Sequence, residues 1–156
     1  MQKQYIWSLD ISLHQTGVAI FEENGTPVKV CSVATKDKDA TGLRLKNIAE
    51  YVLDLREKFP PKIVVMERTF TRFHTATAML YRVHGVCQML LWDCLQVYLT
   101  PKEIKSVVLR GNATKTEIQE KLRQKFVDIN YANEDESDAF ACGVSFLIKG
   151  GLLERW

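Results

Sequence analysis

Two carboxylates stand where carboxylates are costly. Asp10 closes the apolar run "YIWSLD" and Glu67 closes "KIVVME". A carboxylate at the end of a buried strand is expensive to desolvate unless a cation compensates it. Further on, "YANEDESDAFACGV" (131–144) crowds Glu134, Asp135, Glu136 and Asp138 into five positions and then turns apolar. Acids at a helix N-terminus each gain about 0.3–1 kcal/mol from the helix dipole, and Asp135 as N-cap with Asp138 at N3 would need no metal. That account covers two acids and leaves Asp10 and Glu67 unexplained. One buried acid could pair with an arginine, whereas two at strand ends, followed by a helix-start cluster, are better explained as metal ligands. Asp135 and Asp138 are three apart, so they share one face if the helix begins by Asp135, while Glu134 and Glu136 point elsewhere. Oxygen-only ligands favour Mg²⁺ or Mn²⁺ over zinc. Four carboxylates can hold two such ions about 4 Å apart, an arrangement suited to in-line phosphodiester cleavage.

Charge placement points the same way. The net charge is only +2, but residues 68–92 hold Arg68, Arg72, Arg82, His74 and His84 and no acid. Residues 100–127 carry Lys102, Lys105, Arg110, Lys115, Lys121, Arg123 and Lys125 against Glu103, Glu117 and Glu120, and residues 128–140 reverse the sign. A small acidic focus in basic surroundings suits metal held against a phosphate backbone. Taken alone, the basic stretches also read as solvated helix faces.

The elements that must position these residues follow from periodicity. "YIWSLDIS" and the two apolar runs around Asn24-Gly25 predict three antiparallel strands with a hairpin. Residues 40–58 place Leu45, Ile48, Ala49, Val52 and Leu55 near helical spacing, and Pro60-Pro61 ends that segment. "KIVVME" is a strand buried on both faces. Residues 75–95 are long and apolar and predict a helix central to the core or to a partner interface; "QVYLT" is then a short strand. Capping boxes at Thr100–Glu103 and Thr114–Glu117 start two short helices, and a last helix runs from about Ser137 to Lys149, before Gly150-Gly151. The order β-β-β-α-β-α-β-α-α-α describes an α/β domain with a mixed five-stranded sheet, three antiparallel strands followed by strands reached through helical crossovers.

A chain of 156 residues, 46% hydrophobic, fits one globular domain over 1–156. No apolar run approaches the ~18 residues of a membrane span, and "MQKQYIWSLD" carries no apolar signal core, which predicts a cytoplasmic protein with no membrane partner. Cys31, Cys87, Cys94 and Cys142 form no CxxC pair, and the last three lie among apolar neighbours as reduced core thiols do.

In order, "LDISLHQTGVAIF", "VVMERTF", "KEIKSVVLRGNATKTEIQEKL" and "DESDAFACGV" resemble the RuvC-type Holliday-junction resolvases, including phage and prophage versions, whose fold is RNase H-like. The resemblance spans nearly the whole chain. It implies that Asp10, Glu67, Asp135 and Asp138 are catalytic and bind two Mg²⁺ ions, with Mn²⁺ able to substitute, and that Glu134 and Glu136 stand behind them or face solvent. It places Phe70 where family members set an aromatic ring against bases near the crossover, worth roughly 1–3 kcal/mol per stacked base. A core phenylalanine is the plainer alternative. Lys105 and Lys115 match lysines near the scissile phosphate, where a fixed cation stabilises developing charge, and Arg68 and Arg72 add phosphate contacts. Where many relatives have proline and glycine after the first acid, this chain has Ile11-Ser12, which predicts a less constrained turn.

The expected activity is paired nicking of four-way or other branched DNA by a two-fold homodimer, since a two-fold junction asks for a two-fold protein. Met79, Leu80, Val83 and Val86 are the expected dimer surface. Rival readings are another RNase H-like nuclease, acting on structured RNA or RNA–DNA hybrid, and a non-catalytic branched-DNA-binding protein; the latter gains nothing from four carboxylates facing phosphates. The start "DISLHQTG" could also be mistaken for the phosphate loop of actin-like and sugar-kinase ATPases, which need a second lobe and a further aspartate-glycine turn.

Overall fold

A computed structural model of the chain describes residues 3–68 and 74–156. Three strands open it, β1 (Tyr5–Asp10), β2 (Gln15–Glu22) and β3 (Pro27–Ala34), followed by α1 (Thr41–Lys58), β4 (Pro61–Glu67), α2 (His74–Leu90) and β5 (Leu95–Leu99). Three helices close it, α3 (Pro101–Val108), α4 (Lys115–Lys125) and α5 (Glu134–Lys149). The sheet order is β3-β2-β1-β4-β5. β1 pairs antiparallel with β2, and β2 with β3; β1 pairs parallel with β4, and β4 with β5.

The two-residue period of a strand divides the core into two layers. Ile6, Ala19, Phe21 and Val65 pack against α3, α4 and α5, whereas Trp7, Leu9, Val18, Ile20, Val64 and Met66 pack against α1 and α2. Helices therefore cover both faces, and β1 and β4 are buried on each side. Fully buried side chains such as Trp7, Phe140 and Leu147 contribute about 1.5–3 kcal/mol each.

The same parity decides where the strand-end acids point. Ile6, Ser8 and Asp10 share one face of β1, and Ile63, Val65 and Glu67 share the matching face of β4, so both carboxylates look toward α5. α5 lies very close to that face. A Cβ on Gly143 would stand 2.5 Å from Ser8 Oγ and run into the Phe21 ring, and Ser8 Oγ donates to the Ala139 carbonyl at 2.5 Å.

Three expectations need correction. The central helix ends at Leu90 rather than near 95; residues 91–94 form a turn and Leu95 already belongs to β5. The last helix begins three residues early, at Glu134, with Asn133 as N-cap accepting from the Glu136 amide. The turn after Asp10 is well tied without proline or glycine: Ser12 Oγ donates to the Gln15 carbonyl at 2.6 Å, Thr16 Oγ1 to the Ser12 carbonyl at 2.8 Å, and Thr35 Oγ1 to the Leu13 carbonyl at 2.5 Å.

The expected dimer surface changes as well. Val83 is fully buried, packed with Cys87 and Leu91 in the protein's own core, and Leu80 lies half-buried on the same cluster. A helix laid on a sheet must bury one stripe at 3.6-residue spacing, and in α2 that stripe includes Leu80, Val83 and Cys87. Met79 and Val86 are half-buried. The outward apolar stripe is instead Tyr81, Met89 and Trp92, joined by Leu95, with Trp92 78% exposed.

Candidate active site

Asp10 and Glu67 end adjacent parallel strands, since Leu9 is in register with Met66. Opposite them, Asp135 and Asp138 occupy the first turns of α5, on the face turned to the sheet. All four line one cavity of about 340 Å³, together with Lys105, Lys115, Glu134, Pro101, Ile104, Ile118 and Ala141. Every acid assigned to chemistry thus reaches the same space, as do both lysines. Pro101, Ile104 and Ile118 form an apolar wall that lowers the local dielectric and strengthens the electrostatics inside.

Each approach has a local cause. α3 starts with a complete capping box at Thr100 and Glu103, with Pro101 in the first turn, which directs Lys105 toward the cavity rim. A second capping box, at Thr114 and Glu117, fixes the start of α4, so that Lys115 is its first residue. Arg110 pairs with Glu117 across the α3–α4 connection. α5 is seated by Gly17 on β2, the register partner of Asp10.

Burial raises the pKa values of Asp10, Glu67 and Asp135. Burial, followed by the charges of Asp138, Glu67 and Asp135, pushes Asp10 up to about 8. Burial and then Asp138 also raise Glu67 and Asp135. Lys115 Nζ lies 2.6 Å from Asp138 Oδ2, and that hydrogen bond holds the lysine above its ordinary value. One paired ammonium leaves the other carboxylates undercompensated. Hard oxygen donors that repel one another around a polar cavity fit a divalent cation such as Mg²⁺ or Mn²⁺, although among the described residues no three acids, histidines or cysteines already stand at ligand spacing.

Arg68 is exposed beside Glu67, its amide bonded to the Leu99 carbonyl at 2.7 Å. Phe70 and Arg72 lie outside the described residues. Glu134 lines the cavity, whereas Glu136 is buried and turned toward β3, where Ser32 Oγ donates to it at 2.7 Å. Gly17 and Ser32 were not identified from the sequence. A glycine inside a strand, which often marks a close backbone approach, was the available signal for the first; nothing local marks the second.

A mixed five-stranded sheet covered on both faces, with acids ending β1 and β4 and facing the last helix, defines the RNase H-like class. The comparisons narrow that class. The family "Crossover junction endodeoxyribonuclease RuvC" matches residues 6–146, and the chain belongs to it. Crossover junction endodeoxyribonuclease RuvC of Hydrogenovibrio crunogenus is 28% identical over 146 residues, covering 90% of this chain and 85% of the relative. The counterpart from Nitrosomonas eutropha is 26% identical over 155 residues, covering 95% and 87%. Among solved structures, Thermus thermophilus RuvC in complex with Holliday junction substrate superposes with a TM-score of 0.83 at 18% identity, covering 98% of this chain and 99% of that one. Fowlpox virus resolvase, solved with Holliday junction DNA, gives 0.62 at 15% identity, covering 97% and 100%. At these identities the structural likeness speaks for the fold.

Proposed function

We infer that this chain is an endodeoxyribonuclease that resolves four-way DNA junctions, and acts on other branched DNA, by paired nicks. The observation that carries the reading is the convergence of Asp10, Glu67, Asp135 and Asp138 with Lys105 and Lys115 on one cavity, in a chain whose curated relatives are named for that activity. Asp10, Glu67, Asp135 and Asp138 are the proposed metal ligands, for two Mg²⁺ ions per site with Mn²⁺ able to substitute. Divalent metal supplies Lewis-acid polarisation of the phosphate and a more acidic attacking water.

The remaining roles fall to side chains. Lys115, which pairs with Asp138 at 2.6 Å in the metal-free chain, would place its ammonium against the scissile phosphate, where charge grows in the transition state. Lys105 and the exposed Arg68 hold flanking phosphates, and Phe70 and Arg72 extend that contact in the segment after Glu67. The outward apolar patch of Tyr81 and Met89 on α2, with Trp92 in the turn after it and Leu95, is the proposed seam of a two-fold homodimer, which brings two such sites to one junction. The chain acts as one nuclease domain over 1–156 in the cytoplasm; no helix among the described residues is long and apolar enough to cross a membrane.

The test is a substrate panel: a labelled immobile four-way junction beside linear duplex, a fork and an RNA–DNA hybrid, each with Mg²⁺, Mn²⁺ or EDTA. Symmetric, metal-dependent nicks confined to branched DNA are expected. Cleavage of the hybrid alone would move the protein to another nuclease activity on the same site.

A further inference from the structure

Asp10 on β1, Gly17 on β2 and Ser32 on β3 are in register across three strands. Their positions face α5, whose first turn lies across the row. At one end of this row stand the proposed metal ligands, and at the other stands a closed hydrogen-bonded loop. Glu136, only 6% exposed, accepts from Ser32 Oγ at 2.7 Å through Oε1 and from the Ala132 amide at 2.8 Å through Oε2. Asn133 accepts the Glu136 amide at 3.0 Å through Oδ1 and donates to Ser32 Oγ at 2.9 Å through Nδ2. Gln15 Nε2 donates to the same Ser32 oxygen at 3.2 Å. Ser32 therefore donates once and accepts twice, which saturates its hydroxyl.

A glutamate at N3 ordinarily reaches back to the amide of its own N-cap. Glu136 instead spans the residue before the cap and a strand 104 positions away in sequence. Helix capping alone does not require that second bond. Because Asp135 precedes Glu136 and Asp138 follows two residues later, a tie at Glu136 fixes the height and rotation of the turn that presents both carboxylates to Asp10 and Glu67.

We propose that Glu136, through Ser32 and Asn133, is a positioning residue that locks the first turn of α5 to β3 and thereby sets the spacing of the metal ligands. Glu136 does not line the cavity that holds the proposed ligands. The inference rests on the metal-site reading above, and groups that orient ligands commonly change metal affinity by about 10–100-fold when removed.

The experiment is Mn²⁺ titration of the full chain, without DNA, by calorimetry and electron paramagnetic resonance, for wild type, Glu136→Ala, Ser32→Ala and Ile48→Val. The last removes a methyl from the opposite layer and lowers Tm without reaching the site. Expected are at least a tenfold loss of Mn²⁺ affinity in Glu136→Ala, a severalfold loss in Ser32→Ala and wild-type affinity in Ile48→Val. Folded Glu136→Ala with wild-type affinity would overturn the positioning role and leave the metal site standing. If Glu136→Ala does not fold, Ser32→Ala decides in the same way, unchanged affinity overturning the proposal. Wild type that binds no Mn²⁺ would sink the metal-site reading and this inference together.

Discussion

Gly17 and Asp135 meet backbone to backbone: a Cβ on Gly17 would lie 2.5 Å from the Asp135 carbonyl carbon and 3.0 Å from the Glu136 nitrogen. The obstacle is main chain, so no side-chain rotation relieves it. Gly17→Ala must lift the start of α5 from the sheet, at a cost of about 1–3 kcal/mol for overpacking. Because displacing reacting groups by about 1 Å can cost on the order of 100-fold in rate, junction cleavage should fall by at least tenfold while the protein stays folded. Thermal unfolding alongside single-turnover cleavage checks this; loss of stability with full activity would show that the ligands tolerate the shift.

Lys115 offers a second handle. Its side chain is 61% exposed, so its bond to Asp138 contributes less than about 1 kcal/mol to stability. Lys115→Met should therefore leave Tm nearly unchanged while lowering the single-turnover rate by about 100–1,000-fold, as expected for loss of a fixed charge at the transition state. Junction affinity measured by gel shift in EDTA should change by less than about threefold, because one phosphate contact of several is removed.

The buried acids make the metal-free protein sensitive to pH. Asp10 titrates at about 8 when folded, against ~3.9 in an unfolded chain. A raised folded value means that the linked stability is fully present below about pH 4 and is lost as pH rises through about 8. In EDTA the Tm should fall across that window. Asp10→Asn should flatten the decline, leaving the smaller slopes of Glu67 and Asp135, and should be roughly 1–3 kcal/mol more stable than wild type at pH 8 and about equal at pH 4. Parallel Tm profiles for the two proteins would contradict the burial argument.

The outward apolar patch at the end of α2 and in the turn after it predicts the oligomeric state. Trp92 is 78% exposed, so Trp92→Glu has little to lose within one chain and much to lose at a seam. Sedimentation velocity at micromolar concentration should show a dimer for wild type and a monomer for Trp92→Glu with unchanged Tm. A wild-type monomer would contradict the homodimer, and a variant that remains dimeric would move the seam elsewhere.

Much of this was legible in the sequence because it is local. The order of elements, both capping boxes, the hairpin around Asn24-Gly25 and the two strand-end acids all follow from short-range pattern. The alternation Ile6, Ser8, Asp10 and Ile63, Val65, Glu67 even encodes that both acids face one way, but which helix covers that face depends on sheet order. Val83 shows the limit most clearly: an apolar helix reads alike whether its stripe meets its own sheet or a partner. The turn after Asp10 reads as loose without proline and glycine, and its ties come from Ser12, Thr16 and Thr35, the last of them distant in sequence. The Glu136–Ser32 bond has no local signature, since its partners meet only once the sheet and the last helix have assembled.

Metal-dependent cutting of branched DNA by the converging carboxylates Asp10, Glu67, Asp135 and Asp138 is the reaction proposed for this cavity. Its most direct test maps strand nicks on a labelled four-way junction in Mg²⁺ for wild type, Asp10→Asn and Glu67→Gln, with junction binding measured beside it. Paired symmetric nicks in wild type, and at least a thousandfold slower nicking in both variants at near-wild-type junction affinity, are the predicted result. Nicking by either variant at the wild-type rate would place the chemistry outside this cavity and contradict the account.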